Sequence, residues 1–300
     1  MTRNDARAFV LFATYGAQPG LTEDDQHFAR ALERRGVQVC AAAWDDPAAA
    51  WSSAAAVVIR STWDYHLRRA DFLAWVARVS AATTLYNDAR AVRWNSHKRY
   101  LAEIARRGVP VIDTVFASVG SNLDLAAVAR EHGWRDVVVK PAVSASAHET
   151  RRFDVPDRAE GQAHLDRLLA TRDMMVQPHL AALAEQGELS LLFARGRFTH
   201  AVRRRSALVD GHVMPKSAGA EAPAAAIECA ARVLEAAGAL TGVSPNDMLY
   251  SRVDLAATGS DYVLLELELI EPSLFLVHAP NEAEAFAAAL VKADPSLRSG

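Results

Sequence analysis

Apolar runs and amphipathic segments alternate along roughly the first ninety residues of the chain. The runs at 8–13, 37–42 and 55–60 predict buried strands, and the segments 23–35 and 70–79 carry apolar residues at helical spacing. Strands that alternate with helices favour a small, open parallel sheet. The pattern therefore predicts an α/β unit at the start of the chain.

The pattern changes from about Asn95, where strands and helices no longer alternate strictly. The predicted helices are 96–107, 122–132, 158–170 and 222–237. The predicted strands are 111–116, 137–140 and 174–177, a β-hairpin over 189–204, and two final strands that contain RVDL and LLELEL. This second part is expected to be an α+β body that ends in a β-hairpin.

Composition limits the class of protein. Of 300 residues, 51% are hydrophobic and 23% are charged, which is ordinary for a globular chain with a substantial core. The formal net charge of −3 gives no basic field for nucleic acid, and no run of eighteen apolar residues predicts a membrane span. Cys40 and Cys229 form neither a disulfide framework nor a metal-type spacing. We therefore expect a cytoplasmic protein without nucleic-acid or membrane partners.

The last predicted strand carries two glutamates, Glu266 and Glu268, between leucines. Residues two apart on a strand share a face, so the two carboxylates repel each other. The preceding strand has Arg252 and Asp254 at the same spacing. A three-residue loop, Gly259 to Asp261, would pair Asp254 with Glu266 and would pair Arg252 with Glu268. A loop one residue longer would turn Asp254 to the opposite face.

A cluster of carboxylates is costly unless a cation offsets its charge. Because Mg²⁺ prefers oxygen ligands and commonly also holds substrate phosphates, Asp254, Glu266 and Glu268 are candidate magnesium ligands. The alternative is a solvated strand face without an ion. Glu271, next to Pro272, is expected to end the strand.

Positive charge for phosphates is available elsewhere. Lys140 ends an apolar strand in VVVKP, and a loop of small residues follows over 141–147, where backbone N–H groups can approach a phosphate. Lys98 lies on a predicted helix in RWNSHKRYL. Neither a Walker A motif nor a Rossmann glycine fingerprint is present. Each lysine alone also fits a surface charge, and MMVQPHL, which leaves its strand at Gln177-Pro178, also fits a plain strand end.

Taken in order, these motifs resemble the ATP-grasp superfamily, above all its branch that is similar to glutathione synthetase and the RimK-type ligases. The resemblance covers about residues 95–290 and rests on Lys98, VVVKP, VQPHL, GELSLLF, RVDL and LLELELIEPS. It implies an α/β protein with a Rossmann-like, pre-ATP-grasp substrate domain over 1–94 and a two-lobed α+β ATP-grasp body. The body would have a central lobe over 95–176 and a C-terminal lobe with the metal site over 177–300.

The resemblance also implies roles for individual residues. The residues implied in ATP binding are Lys98, Lys140 and Ser144 at the phosphates, Gln177, Pro178, His179 and Leu180 at the adenine, and Glu188 near the ribose. The residues implied at the reacting end are Asp254, Glu266 and Glu268 for Mg²⁺ or Mn²⁺, and Arg252 for the transferred phosphoryl group. Arg204 is a second catalytic candidate, because alternation along its strand sends it to the face opposite Arg203 and Arg205, and one of these faces should meet the nucleotide cleft. The sequence departs from the family at Glu268, where related ligases often have Asn, and in the loop 142–147, where many relatives have Gly.

Further stretches resemble a bacterial subgroup that includes D-cycloserine synthetase, an enzyme that closes a ring on O-ureido-D-serine. These stretches are RSTWDY, LIEPSLFL, FTHAVRR and Trp44-Asp45, whereas the loop after Pro141 departs. Arg60 and Asp64 follow a predicted parallel strand at the end where open α/β sheets bind ligands, and with Ser273 they are our candidates for substrate binding. The alternative for Arg60 is a salt bridge to a neighbouring helix.

The expected function is that of an ATP- and Mg²⁺-dependent ligase that joins a small amino-acid-like carboxylate to an amine through an acyl phosphate. Its partners would be these small molecules, and a homodimer is one option for its assembly. Two alternatives stay open, a kinase-like or cyclising ligase of the D-cycloserine synthetase type, and a nucleotide-binding regulator without turnover. A regulator would not need the charges that stabilise a transition state, which Lys98, Lys140 and Arg252 are expected to supply.

Overall fold

The computed structural model describes residues 9–145, 148–154, 158–205 and 216–297, which form three β-sheets covered by helices. The first sheet is parallel, with the strand order β2-β1-β3-β4. Its strands are β1 (Phe9–Thr14), β2 (Gln38–Ala43), β3 (Ala56–Ile59) and β4 (Thr84–Tyr86), and its helices are α1 (Glu23–Glu33) and α2 (Arg69–Ala82). The predicted parallel sheet is confirmed, and β3 is buried along its whole length, as an inner parallel strand must be.

The second sheet is antiparallel and has the order β5-β8-β6-β7. It follows the helices α3 (Ala89–Asn95) and α4 (Tyr100–Ala105) along the chain. Its elements are β5 (Val115–Ala117), α5 (Leu125–Glu131), β6 (Asp136–Pro141), β7 (Arg151–Asp154), α6 (Arg158–Leu169) and β8 (Met174–Pro178). The leucines of α6 pack with Phe153 and Val139 in the core of this layer. The boundary that the sequence analysis placed between the central and C-terminal lobes, at residues 176 and 177, falls inside β8.

The third sheet is antiparallel and has the order β11-β10-β9-β12-β13. Its elements are α7 (Ala181–Gln186), β9 (Glu188–Ala194), β10 (Arg197–Arg204), β11 (Ser217–Ala220), α8 (Ala224–Thr241), β12 (Tyr250–Thr258), β13 (Asp261–Glu268) and α9 (Ala283–Ala293). Helix α8 presents an alanine-rich face to β12 and β13 and ends at Gly242, whose φ of +69° allows the left-handed cap.

The first and third sheets share a core through α9. Phe286 of α9 lies 6.1 Å from the ring of Phe28 on α1, and both belong to one cluster with Leu192 and Tyr250 of the third sheet. The sequence analysis missed α9, because its alanine-rich stretch has little polar contrast. This packing joins α9, the first sheet and the third sheet in one hydrophobic core. Among the helices that the structure describes, none combines the length and the hydrophobicity that a membrane crossing requires.

Two local predictions are wrong. Lys98 does not lie on a helix but in the turn between α3 and α4, because its backbone N–H donates to the carbonyl of Ala142 at 2.8 Å rather than to a helical carbonyl. The final hairpin has a two-residue loop, Gly259-Ser260, since Thr258 pairs with Asp261. The loop predicted to have three residues is therefore one residue shorter.

Candidate active site

A β-bulge restores the predicted register in the final hairpin. Leu255 pairs with Leu264, and the next pair is Asp254 with Glu266, so Leu265 is the extra residue of the bulge. Arg252 then pairs with Glu268, as predicted. The shorter loop alone would have turned the glutamates away from Asp254, and the bulge compensates for it.

The three predicted metal ligands come together on one face of the hairpin. One carboxylate oxygen from each of Asp254, Glu266 and Glu268 lies within 4.8 Å of the others. Arg252 donates to both oxygens of Asp254, at 3.0 and 3.2 Å from Nε, and also forms an ion pair with Glu268. Arg204 of β10 donates to Asp254 at 2.9 Å. Two arginines therefore border an all-oxygen cluster.

The three carboxylates differ in their affinity for protons. Burial opposes the ionisation of Asp254, but the charges of Arg252 and Arg204 and a hydrogen bond from Ser190 lower its pKa to about 2. Burial also opposes the ionisation of Glu266, and Lys98 and Lys140 outweigh it, so that this pKa is lowered. Burial, helped by the charges of Glu266 and Asp254, raises the pKa of Glu268 to about 7 in spite of Arg252. The cluster thus holds a glutamate that is protonated readily.

Side chains from α3 and α4 hold the backbone around Glu268. The Asn95 side chain donates to the carbonyl of Leu267 at 2.8 Å and accepts from the N–H of Leu269 at 2.9 Å. The hydroxyl of Tyr100 accepts from the N–H of Leu267 at 3.1 Å. Asn95 and Tyr100 are buried, so these bonds are shielded from water. Sequence reasoning missed both, since only the folded chain brings α3 against β13.

The two predicted phosphate-binding lysines lie beside the carboxylates. The ammonium of Lys98 contacts Glu266 at 2.9 Å and donates to the carbonyl of Ser144 at 2.7 Å. Burial, together with the charge of Lys98, lowers the pKa of Lys140 to about 8 although Glu266 opposes this. Ser144 is buried and also lies within 3.4 Å of Lys98 through its hydroxyl. The positions 146 and 147 of the predicted small-residue loop lie outside the described residues.

The predicted adenine segment continues the ladder of β8. Gln177 is buried and donates to the hydroxyl of Thr114 at 2.9 Å, and Pro178 still pairs with Val137. The N–H of His179 donates to the backbone carbonyl of Asp136 at 2.9 Å, and Leu180 precedes α7. The N–H of His179 is thus engaged within the protein, and contact of this segment with adenine stays a prediction.

Glu188, expected near the ribose, forms an ion pair with Arg204. Gly187 precedes it with a φ of +73°, and a Cβ there would collide with the Arg204 carbonyl oxygen. The glycine therefore lets β9 start close against β10. The ribose contact stays a prediction, and the contact that the structure shows for Glu188 is the ion pair with Arg204, one of the two catalytic candidates.

The candidates for substrate binding have partners within the protein. Arg60 is buried and donates to Asp25 of α1 at 2.7 Å and to the carbonyl of Pro272 at 2.8 Å. This is the salt bridge that the sequence left as the alternative. The Nη1 nitrogen of Arg60 has no hydrogen-bond partner among the described residues, and substrate binding by Arg60 stays a prediction. Asp64 accepts from Trp44 and from Arg68, each at 2.8 Å. Ser273 donates to Asp24 at 3.2 Å.

Two further residues at the site escaped the sequence analysis. Glu271 was expected only to end the strand, yet it is buried, and burial together with Glu268 raises its pKa well above the ordinary value. Tyr65 is also buried near these glutamates, and burial and the charge of Glu271 raise its pKa. The signal available in the sequence was the third acidic residue in LELELIE, which follows Glu268 by three positions.

The fold is that of the ATP-grasp ligases. The structure of the ATP-grasp ligase PsnB, solved with a variant of its minimal precursor, Mg and ADP, has the same fold at a TM-score of 0.63, with 17% identity over 96% of this chain and 98% of that one. A family model described as the N-terminal domain of D-cycloserine synthetase DcsG matches residues 10–87.

Two comparisons extend over most of the chain. The cycloserine biosynthesis protein DcsG of Streptomyces lavendulae is 36% identical over 263 residues, which are 83% of this chain and 86% of that protein. The crystal structure of D-cycloserine synthetase DcsG superposes with a TM-score of 0.87 and 32% identity over 95% of this chain and 99% of that one. The chain therefore belongs to the D-cycloserine synthetase family of ATP-grasp ligases, and the α/β fold class and the resemblance stated from the sequence are confirmed.

Proposed function

We propose that this ligase uses ATP and Mg²⁺ to activate the carboxylate of a small amino-acid-like substrate and joins it to an amine nitrogen. The observation that carries the proposal is the site of the final hairpin, where three carboxylates within 4.8 Å of one another lie between two arginines and the Lys98 ammonium. This arrangement pairs an oxygen-rich cation site with positive charge for phosphates.

The residues present suit a hard divalent cation. All three donors are carboxylates, and the low pKa values of Asp254 and Glu266 leave both ionised at neutral pH. Mg²⁺ held there, or Mn²⁺ in its place, would neutralise charge on the phosphates of ATP. Cation binding would also lower the pKa of Glu268, because the ionised carboxylate is the ligand.

The chain's own residues then position the reacting groups. A carboxylate oxygen of the substrate forms a bond to the γ-phosphorus while the bond from that phosphorus to the β-γ bridging oxygen breaks, which yields an acyl phosphate and ADP. An amine nitrogen next attacks the acyl carbon, phosphate leaves, and the nitrogen loses a proton. We assign Arg252 and Arg204 to the transferred phosphoryl group, and Lys98, Lys140 and Ser144 to the phosphates of ATP. We assign Gln177 to Leu180 to the adenine and Glu188 to the ribose side.

We also propose a ring-closing form of this reaction, in which the attacking nitrogen belongs to the activated molecule itself. The identity and the TM-score with D-cycloserine synthetase support it. O-ureido-D-serine is the first substrate to test. We place the enzyme in the cytoplasm and assign substrate selection to residues 1–94, with Arg60 and Asp64 as candidates, and to Ser273 from the loop that follows β13. Small carboxylates and amines are the proposed partners, and a homodimer is a proposal for gel filtration to test.

The test is phosphate release from ATP and Mg²⁺ with a panel of substrates. The panel contains O-ureido-D-serine, single amino acids and pairs of amino acids, with mass spectrometry of the products. We expect ATP turnover only when a carboxylate and a nitrogen nucleophile are supplied, and a cyclic product from O-ureido-D-serine alone. ATP binding without turnover across the whole panel would favour the nucleotide-binding regulator instead.

A further inference from the structure

The carboxylate of Asp24, on α1, binds the backbone of the loop that follows β13. Asp24 of α1 accepts from the backbone N–H of Leu274 at 2.7 Å and of Phe275 at 3.2 Å, and it also accepts from the N–H of Leu276. The hydroxyl of Ser273 donates to the same carboxylate at 3.2 Å. Three successive N–H groups form a concave anion site, and here a side chain of the same protein occupies it.

The captured loop carries an aromatic ring to the arginines of the site. Phe275 has a φ of +53°, a conformation that is uncommon outside glycine and needs outside support. The guanidinium carbons of Arg204 and Arg252 lie 5.6 and 5.5 Å from the centre of the Phe275 ring. The carbonyl of Ser273 accepts from Arg252 at 3.4 Å. The loop thus contacts both arginines that border the carboxylate cluster.

We propose that Asp24 and Phe275 are positioning residues, which hold Arg252 and Arg204 in line with the transferred phosphoryl group. The proposal rests on the proposed function, because it takes the two arginines as the phosphoryl-binding groups. Asp24 fixes the loop, the loop fixes the Phe275 ring, and the ring supports both guanidinium planes by cation–π contact. The first helix of the N-terminal domain, α1, thereby controls the geometry at the reacting end of ATP.

Calorimetry with two nucleotides tests the proposal without a substrate. AMPPNP with Mg²⁺ offers a γ-phosphoryl group to the arginines and ADP with Mg²⁺ does not. In Asp24→Asn we expect AMPPNP affinity to fall about fivefold or more while ADP affinity stays within about twofold, since only the contact to the last phosphoryl group is misplaced. Phe275→Leu should give the same split. Glu23→Gln removes a charge from the same helical turn at an exposed position and should leave both affinities within about twofold.

The double variant Asp24→Asn/Phe275→Leu should bind AMPPNP as tightly as whichever single variant has the lower AMPPNP affinity, because both residues act through the same contacts. Losses that multiply, or variants that discriminate AMPPNP from ADP as the wild type does, would overturn the proposal. If Asp24→Asn does not fold, the half-buried Phe275 position carries the test, and an unchanged ratio in Phe275→Leu overturns it. A wild type that binds neither nucleotide would instead overturn the proposed function itself, and this proposal with it.

Discussion

Replacing Glu268 by glutamine is expected to stabilise the protein without ligands and to abolish its turnover. The pKa of Glu268 lies at about 7 against an ordinary 4.5, because burial and the charges of Glu266 and Asp254 disfavour its ionised form. At 1.36 kcal/mol per pKa unit this corresponds to about 3 kcal/mol of unfavourable free energy above pH 7. The side chain is 26% exposed, so water reduces the effect, and we expect about 1–3 kcal/mol.

The pH dependence of this gain follows from the direction of the pKa change. Below pH 4.5 the folded and the unfolded wild-type chains both carry protonated Glu268, so the stabilising contribution of that proton is fully present. This contribution is lost as the pH rises through about 7, where the folded chain must release the proton. The variant cannot ionise, so its advantage should be about a quarter of its full value at about pH 5 and largest at about pH 8.

Thermal melting at about pH 5 and pH 8 measures the stability, where about 2 °C corresponds to 1 kcal/mol for a chain of this size. Glu266→Gln is the matched control, because Lys98 contacts this carboxylate at 2.9 Å and its pKa is lowered. This control should lower the melting temperature at pH 8. Phosphate release should fall at least about a hundredfold in Glu268→Gln, because a ligand of the proposed cation is lost. A variant that melts below the wild type at pH 8 and turns over normally would refute the reasoning.

Three other substitutions test single contacts. Lys140→Ala should weaken ATP binding about tenfold or more in calorimetry, the worth of one charged hydrogen bond of about 1.5–3 kcal/mol. Because the pKa of Lys140 is about 8, wild-type affinity should fall as the pH rises through that value, and the variant should lack this fall. Asn95→Ala should weaken Mg²⁺-dependent ATP binding about tenfold while Mg²⁺-free binding is unchanged, because it frees the backbone on both sides of Glu268. Arg60→Met should lower the free energy of unfolding by about 3–5 kcal/mol, since Asp25 is left buried and unpaired, and Arg60→Met/Asp25→Leu should recover much of it.

The sequence predicts the parts of this molecule whose signal is local. Alternation of buried strands and amphipathic helices predicts the parallel sheet, and the two-residue spacing of Asp254, Glu266 and Glu268 with Arg252 predicts the shared face of the site. The face was correct although the loop length was wrong, because the bulge at Leu265 added back the residue that the loop lacks. A bulge has no marker in a run of leucines, so the sequence alone cannot reveal this compensation.

Contacts between distant segments are the part that the sequence cannot supply. Arg60 and Asp25 are separated by 35 residues, and Asp24 and the Phe275 loop by about 250. Nothing near Arg60 in the sequence indicates that a buried aspartate pairs with it. The sequence therefore favours a substrate carboxylate and a salt bridge within the protein equally. Lys98 illustrates the same limit. Its spacing predicted a helix, but its N–H donates to the carbonyl of Ala142, which is distant in sequence, and the residue lies in a turn.

The central claim is that Asp254, Glu266 and Glu268 hold the cation that acts with ATP. Crystals grown with Mn²⁺ and AMPPNP, measured at the manganese absorption edge, locate the ion by anomalous scattering. The account predicts a peak within about 2.5 Å of oxygens from all three carboxylates and from the nucleotide phosphates. A nucleotide bound with its ion elsewhere, while these three carboxylates contact only Arg252, Arg204 and Lys98, would contradict it.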